Sequence, residues 1–317
     1  MNTIRKVLVL GFSVTGEKNG YVEQAIGDWP LGVTLVKAAI GGLMPSWIKF
    51  FAAGIFDDIK PDAVVFDLAT PMFRKLPDAE SQHRVSVEWM LHLCQQREIA
   101  VAFLDLPRTD VDEATDWVYA YHCALARKEG LGYKSVFSQP NMFRDEVHPT
   151  ESGKIVYSEA LRDLICEIVE NPKIPPPYCP DARYSTISIA GDSPTRNFSR
   201  AGFTVGVVDL VPGESIVCTL TLGWRLVGLS YLMGPRTGFF TLSGGGRDVI
   251  VPAYDKHCYF ERFGVRLFHP IVDTKIKIEQ MNTIPDVDLL KGEPDLRARV
   301  GSLAHLLVEQ DVENSVL

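Results

Sequence analysis

The periodicity of apolar residues changes character once along this chain, at Asn171–Pro180 (NPKIPPPYCP). Pro172, Pro175, Pro176, Pro177 and Pro180 can neither continue a helix nor fill a central strand, so residues 173–180 read as a linker. Upstream, short apolar runs rich in β-branched residues alternate with helically spaced segments. The runs are Val7–Leu10, Val33–Val36, Ala63–Leu68, Ala100–Leu106 and the weaker Tyr133–Phe137. Between and after them, Tyr21–Ile26, Trp47–Ile59, Val85–Gln96, Ala114–Lys128 and Ser152–Val169 carry helical spacing. Continuous apolar strands suit a parallel sheet covered on both faces. Their repeated alternation with helices predicts a three-layer α/β domain with right-handed crossovers over residues 1–172.

Beyond the prolines the period becomes two. Ser185–Ala190, Phe203–Val208, Ile216–Leu222, Leu226–Leu232, Gly238–Leu242, Val249–Val251, Tyr259–Phe268 and Thr274–Glu279 read as strands. Gly234-Pro235 and Gly244-Gly245-Gly246 punctuate them. Short strands with close turns predict an antiparallel β-sandwich, jelly-roll-like, over residues 181–285. From Pro294 the spacing turns helical. Leu296, Val300, Leu303 and Leu307 form one stripe, which predicts a helical tail over residues 286–317. That helix packs on its own chain or, alternatively, joins two copies as a homodimer. Two domains also suit 317 residues, since a domain holds roughly 100–200.

Composition excludes several classes. The formal net charge is −8 and there is no Lys/Arg run, so nucleic acid is not an expected partner. The apolar run at Val7–Leu10 is too short for a signal peptide, and no stretch approaches ~18 apolar residues, so no membrane span is expected. Cys94, Cys123, Cys166, Cys179, Cys218 and Cys258 form no CxxC pair. They read as free thiols of a reducing compartment, which predicts a cytoplasmic protein. His83, His92 and His122 lie in helical segments without carboxylate or cysteine partners at ligand spacing, and His257 and His269 stand apart. All five read as ordinary core or surface residues, with no metal and no cofactor. The glycines around Ser13 match neither a GxGxxG nor a Walker A phosphate loop. The aromatics Trp224, Tyr231, Phe239, Phe240, Tyr254, Tyr259 and Phe260 read as sandwich core, with sugar stacking as the alternative.

Three segments carry candidate chemistry. Gly11-Phe12-Ser13 follows the first strand, and a glycine there leaves a hydroxyl exposed at the carboxyl end of the sheet, where ligands of open α/β sheets gather. A serine so placed is by itself more often a turn or cap residue. Asp145-Glu146-Val147-His148-Pro149-Thr150, followed by Gly153, sets an acid and an imidazole three residues apart before a helix. Such a carboxylate can orient an imidazole that takes a proton from serine; a capping acid beside a surface histidine is the other reading. Gly41-Gly42, past the second strand, allows backbone N–H groups to approach a ligand, or simply makes a tight turn.

Taken together these segments resemble the SGNH (GDSL-like) hydrolases over residues 1–172. Gly11-Phe12-Ser13 resembles the family's first block, with Phe12 where Asp is usual. Gly42 maps to the second block, Pro61-Asp62 precedes the third strand as in that family, and Asp145, His148, Pro149, Thr150 and Gly153 match the last. The resemblance implies a flavodoxin-like sheet and acyl transfer through a seryl ester. Ser13 is then the nucleophile, His148 the base and Asp145 its orienter, with Ser13 and Gly42 N–H groups as oxyanion donors. One departure stands out. Pro71 falls where the family's third block carries an Asn, and proline offers neither a side-chain donor nor an N–H. The Thr70 hydroxyl is the candidate substitute. Relatives in this family often deacetylate carbohydrates, so the resemblance implies an esterase or deacylase acting on a small-molecule or glycan ester. An O-acyltransferase using the same triad and a non-catalytic binding protein on the same scaffold are the alternatives.

Overall fold

The computed structural model describes residues 4–26, 32–191, 194–283 and 285–312. These fall into two compact bodies: residues up to Pro180 together with Arg200–Phe203, and Asp181–Ser199 with Thr204 onward.

In the first body, strands β1 (Lys6–Gly11), β2 (Thr34–Ala39), β3 (Ala63–Phe66), β4 (Ala100–Asp105) and β5 (Gly132–Ser135) form one parallel sheet in the order β2-β1-β3-β4-β5. Helices α1 (Tyr21–Ile26), α2 (Pro45–Ile59), α3 (Ala79–Gln96), α4 (Trp117–Glu129) and α5 (Glu151–Glu170) alternate with them. β1, β3 and β4 are almost wholly buried, which is why they read as unbroken apolar runs. Val7 faces Leu35 on one side and Ala63 on the other, so β1 is paired on both edges. Val7, Val9, Val65, Ala102 and Leu104 join Leu161, Leu164 and Ile165 of α5 in one core. The proline-rich stretch is strapped to this body: the Lys173 carbonyl accepts the Val101 N–H at 2.9 Å, and the Tyr178 carbonyl lies 2.8 Å from His92 Nδ1.

The second body holds two antiparallel sheets. The larger runs β13 (Arg262–Ile271), β10 (Arg225–Met233), β15 (Gly301–Asp311), β8 (Phe203–Leu210), β7 (Arg196–Arg200), with β6 (Ala182–Ser188) also pairing β15. The smaller runs β12 (Arg247–Pro252), β11 (Phe239–Gly244), β14 (Lys275–Gln280), β9 (Ser215–Thr219). Leu229 and Leu306 of the larger sheet share a core with Phe240 and Ile278 of the smaller.

The helical tail expected over 286–317 is overturned within the described residues. Gly301–Asp311 is a strand, paired to β10 on one edge and to β8 and β6 on the other. Leu303 and Leu307 are buried, but Leu296 is 75% exposed and belongs to no stripe. A strand covered on both faces reads as continuous apolar sequence, which spacing alone does not separate from a helix; strand pairing decided. A homodimer built on that helix loses its basis. Residues 313–317 lie outside the described residues.

Between β4 and its helices lies a buried polar chain. Asp105 Oδ1 is 2.7 Å from His122 Nδ1, and His122 Nε2 is 2.8 Å from His83 Nε2. All three side chains are buried. A carboxylate only accepts, so His122 donates to Asp105 from Nδ1. The sequence offered no partner for His122; the fold supplies Asp105. Burial foremost, then the charges of His122, Arg74 and Arg84, hold the His83 imidazole well below its usual protonation range. His83 therefore stays neutral in the folded chain, while an unfolded chain protonates it below about pH 6.5. Its contribution to stability is present above that pH and is lost as pH falls, at about 1.4 kcal/mol per unit. Urea midpoints measured between pH 7 and 5 should fall less steeply for His83→Gln than for wild type.

Candidate active site

The turn after β1 is built by packing. Phe12 and Val14 are buried while Ser13 between them is half-buried. The Gly16 N–H bonds to the Phe12 carbonyl at 2.8 Å and closes the turn. A Cβ on Gly11 would stand 2.1 Å from Thr15 Oγ1 and 3.1 Å from Asp67 Cβ, so only glycine fits where the strand ends. Thr15 Oγ1 donates to Asp67 Oδ2 at 2.6 Å, and Tyr21 Oη donates to the same oxygen at 3.3 Å.

The loop before α5 carries the second group. Phe143 and Pro149 form an isolated antiparallel bridge, and the Arg144 N–H bonds to the His148 carbonyl at 3.0 Å. Thr150 caps α5, its Oγ1 accepting the Gly153 N–H at 3.3 Å. Inside this loop Asp145 Oδ1 accepts the N–H groups of Val147 and His148 at 3.0 and 2.8 Å. His148 Nδ1 lies 2.8 Å from Asp145 Oδ2, and its Nε2 lies 3.1 Å from Ser13 Oγ. Partial burial opposes the Asp145 charge, but the two N–H groups and the imidazole outweigh it and hold the carboxyl below its usual range. Asp145 is thus ionised wherever an imidazole titrates, and its acceptor-only oxygens place the His148 proton on Nδ1. Nε2 then presents its lone pair to the Ser13 hydroxyl.

Ser13, Asp145 and His148 are therefore brought together. The remaining candidates are placed differently. Gly41 lines the cavity at Ser13, where a Cβ would come 3.7 Å from Ser13 Cα and Cβ. Gly42, the residue favoured from the sequence, follows it with φ +82, a left-handed conformation that suits glycine. Thr70 is buried and is not among the cavity-lining residues; its hydroxyl faces the Asp67 carboxyl without closing a hydrogen bond to it. The carbonyls of its loop are gripped by two arginines. Arg74 Nη1 reaches Ala69 and Pro71 at 2.9 and 3.3 Å, and Arg108 Nη1 reaches Thr70 at 2.6 Å. Asp116 and Asp110 in turn hold those guanidinium groups.

The cavity at Ser13 measures about 560 Å³. Glu17, Glu23, Lys37, Arg144 and Arg200 line it with Ser13 and His148. Lys37 pairs with Glu23, and Arg144 with Glu17. Among the described residues no cluster of three or more His, Cys, Asp or Glu is placed to hold a metal, and no helix is long and apolar enough to cross a membrane. Asp67, tied to the Ser13 turn through Thr15, is a residue that sequence reasoning missed. Its signal was there, an acid inside the apolar run AVVFDL. Burial pushes its carboxyl up to about 7, the Asp105 charge adds to the shift, and the hydroxyls of Thr15, Tyr21 and Thr70 oppose it.

No family model matches the sequence, and no curated protein matches it. Solved structures do. A two-domain esterase active on acetylated mannans, co-crystallised with mannopentaose, superposes with a TM-score of 0.66 at 12% identity, covering 97% of this chain and 90% of that one. A second structure of such an esterase gives 0.65 at 13%, covering 97% and 91%. The psychrotrophic esterase EstA from Pseudoalteromonas sp. matches 53% of this chain with 100% of its own, at 14% identity and a TM-score of 0.45. Over nearly its whole length the chain shares the fold of a two-domain esterase.

Proposed function

We propose that the chain is a serine esterase that removes an acyl group, with an O-acetyl ester on a carbohydrate as its substrate class. The observation that carries this reading is the contact series Asp145–His148–Ser13, at 2.8 and 3.1 Å. Ser13 Oγ attacks the ester carbonyl carbon while His148 Nε2 takes its proton. The tetrahedral intermediate collapses, and His148 returns the proton to the departing alcohol oxygen. Water, deprotonated by the same nitrogen, then attacks the seryl ester and releases the acid and Ser13. Asp145 holds the imidazole tautomer and stabilises the imidazolium of each step. The oxyanion is assigned to the N–H groups of Ser13 and of the Gly41-Gly42 turn, which supply donors where Pro71 has none. The carbohydrate reading is supported by the fold shared with an esterase active on acetylated mannans. The two antiparallel sheets around one core are read as a jelly-roll-like sandwich.

A fluorophosphonate probe tests the assignment directly. Wild type should label and Ser13→Ala should not; a wild type that takes no label between pH 6 and 9 overturns the reading. Asp145→Asn, which favours the wrong tautomer, should lower kcat on 4-nitrophenyl acetate by roughly 10²–10⁴ with little change in KM. Gly11→Ala should lower the unfolding free energy by about 1–3 kcal/mol in urea titrations and slow labelling, because its methyl displaces Thr15 from Asp67.

A further inference from the structure

Asp67 is fully buried and lies directly after β3, next to the strand β1 that leads into the Ser13 turn. It makes no ion pair with a cation among the described residues. Its Oδ2 receives both the Thr15 and the Tyr21 hydroxyls, which also lie 3.1 Å from each other. Its Oδ1 makes no hydrogen bond among the described residues and faces the buried Thr70 hydroxyl, which makes none either. One carboxyl thereby spans the turn bearing the nucleophile and the loop that occupies the oxyanion block.

We propose that Asp67 is a positioning residue for Ser13, acting through the Thr15 hydroxyl, and that its ionised form holds the nucleophile turn in its reactive geometry. The inference rests on Ser13 being the nucleophile. A hydrogen bond to a charged acceptor is about twice as strong as a neutral one, so ionisation tightens the Thr15 tie. The groups facing Asp67 from neighbouring elements are Asp105 at the end of β4, Tyr21 on α1 and Tyr157 on α5. Burial holds both tyrosines protonated well above their usual range. Burial pushes the Asp67 carboxyl up to about 7, so its charge changes between pH 6 and 8 while both tyrosines stay protonated.

Burying this acid has a cost whose sign is fixed. The folded-state pKa is raised from 3.8 to about 7. The unfolded chain therefore releases the proton first, and stability is lost as pH rises through that interval. A residue retained only for stability would not be an acid here. Asparagine keeps an oxygen for Thr15, turns an N–H toward Thr70 and removes the cost. The experiment is the rate of fluorophosphonate labelling from pH 6 to 8 for wild type, Asp67→Asn, Thr15→Val and the double variant, with melting temperatures at pH 8.

Asp67→Asn should label about tenfold more slowly at pH 8, approach the wild-type rate at pH 6, and melt no lower than wild type. Without the Thr15 hydroxyl the charge has nothing to act through, so the double variant should label no more slowly than Thr15→Val alone. Labelling of Asp67→Asn at the wild-type rate at pH 8, a melting temperature below wild type there, or losses that multiply in the double variant would each overturn the inference while leaving the esterase reading intact. A wild type that takes no label overturns both.

Discussion

Ser13 Oγ and His148 Nε2 meet across 135 positions of sequence. A net hydrogen bond is worth only about 0.5–1.5 kcal/mol, too little to hold two loops in register by itself. The contact is inherited from the sheet. β1 is paired on both edges through Leu8, Val9 and Leu10, none of which is exposed. That rigidity ends at Gly11, where the close approach of Thr15 forces the chain to turn at once. The other partner is fixed by the Thr150 cap of α5 and by the Phe143–Pro149 bridge, which clamps both ends of the loop holding Asp145 and His148. The two halves are each rigid before they meet.

The same edge of the sheet carries two buried acids, and each is accommodated differently. Asp105 is matched by His122, itself supported by His83, in a chain of nitrogen and oxygen contacts away from solvent. Asp67 has only hydroxyls. Hydroxyl donors offset only part of the desolvation cost of a buried carboxylate, and burial with the nearby Asp105 charge pushes the Asp67 carboxyl up to about 7. Carboxyls shifted by burial in this way cluster at functional sites, though buried polar networks shift them too. The place of Asp67 directly after an apolar strand and beside the Ser13 turn sets that cost next to the residues that the proposed reading makes catalytic.

How much of this was legible follows from what sets each feature. The strands of the first body were readable because burial on both faces removes every polar residue from them, as in Val7–Leu10 and Ala63–Phe66. The Ser13, Asp145 and His148 constellation was readable because its acid and base sit three residues apart and its turns demand glycine and proline. β7 was missed, since an exposed strand of sequence RNFSR has no apolar period. β15 was misread as helix for the opposite reason, an excess of apolar residues that suits either element until its edges find partners. Asp67, Asp105 and His122 escaped because their partners lie 52, 17 and 39 positions away, and no local spacing encodes a contact across layers.

Pro71 is where local sequence and site chemistry part most sharply. The loop Ala69–Pro71 offers no side-chain amide, yet it is fixed more firmly than a surface turn requires. Arg74 and Arg108 bind three successive carbonyls, and each guanidinium is itself held by an aspartate. Planar guanidinium groups with several donors suit this task, because one side chain can grip two carbonyls while remaining paired to an acid. Binding the carbonyls fixes the peptide planes, and with them the position of Thr70 above Asp67. On the proposed reading the oxyanion then depends on backbone N–H groups of the two turns beside Ser13. Backbone donors are set by the fold and lose no rotamer freedom when charge develops, so the rigidity of these loops takes the place of a dedicated side chain.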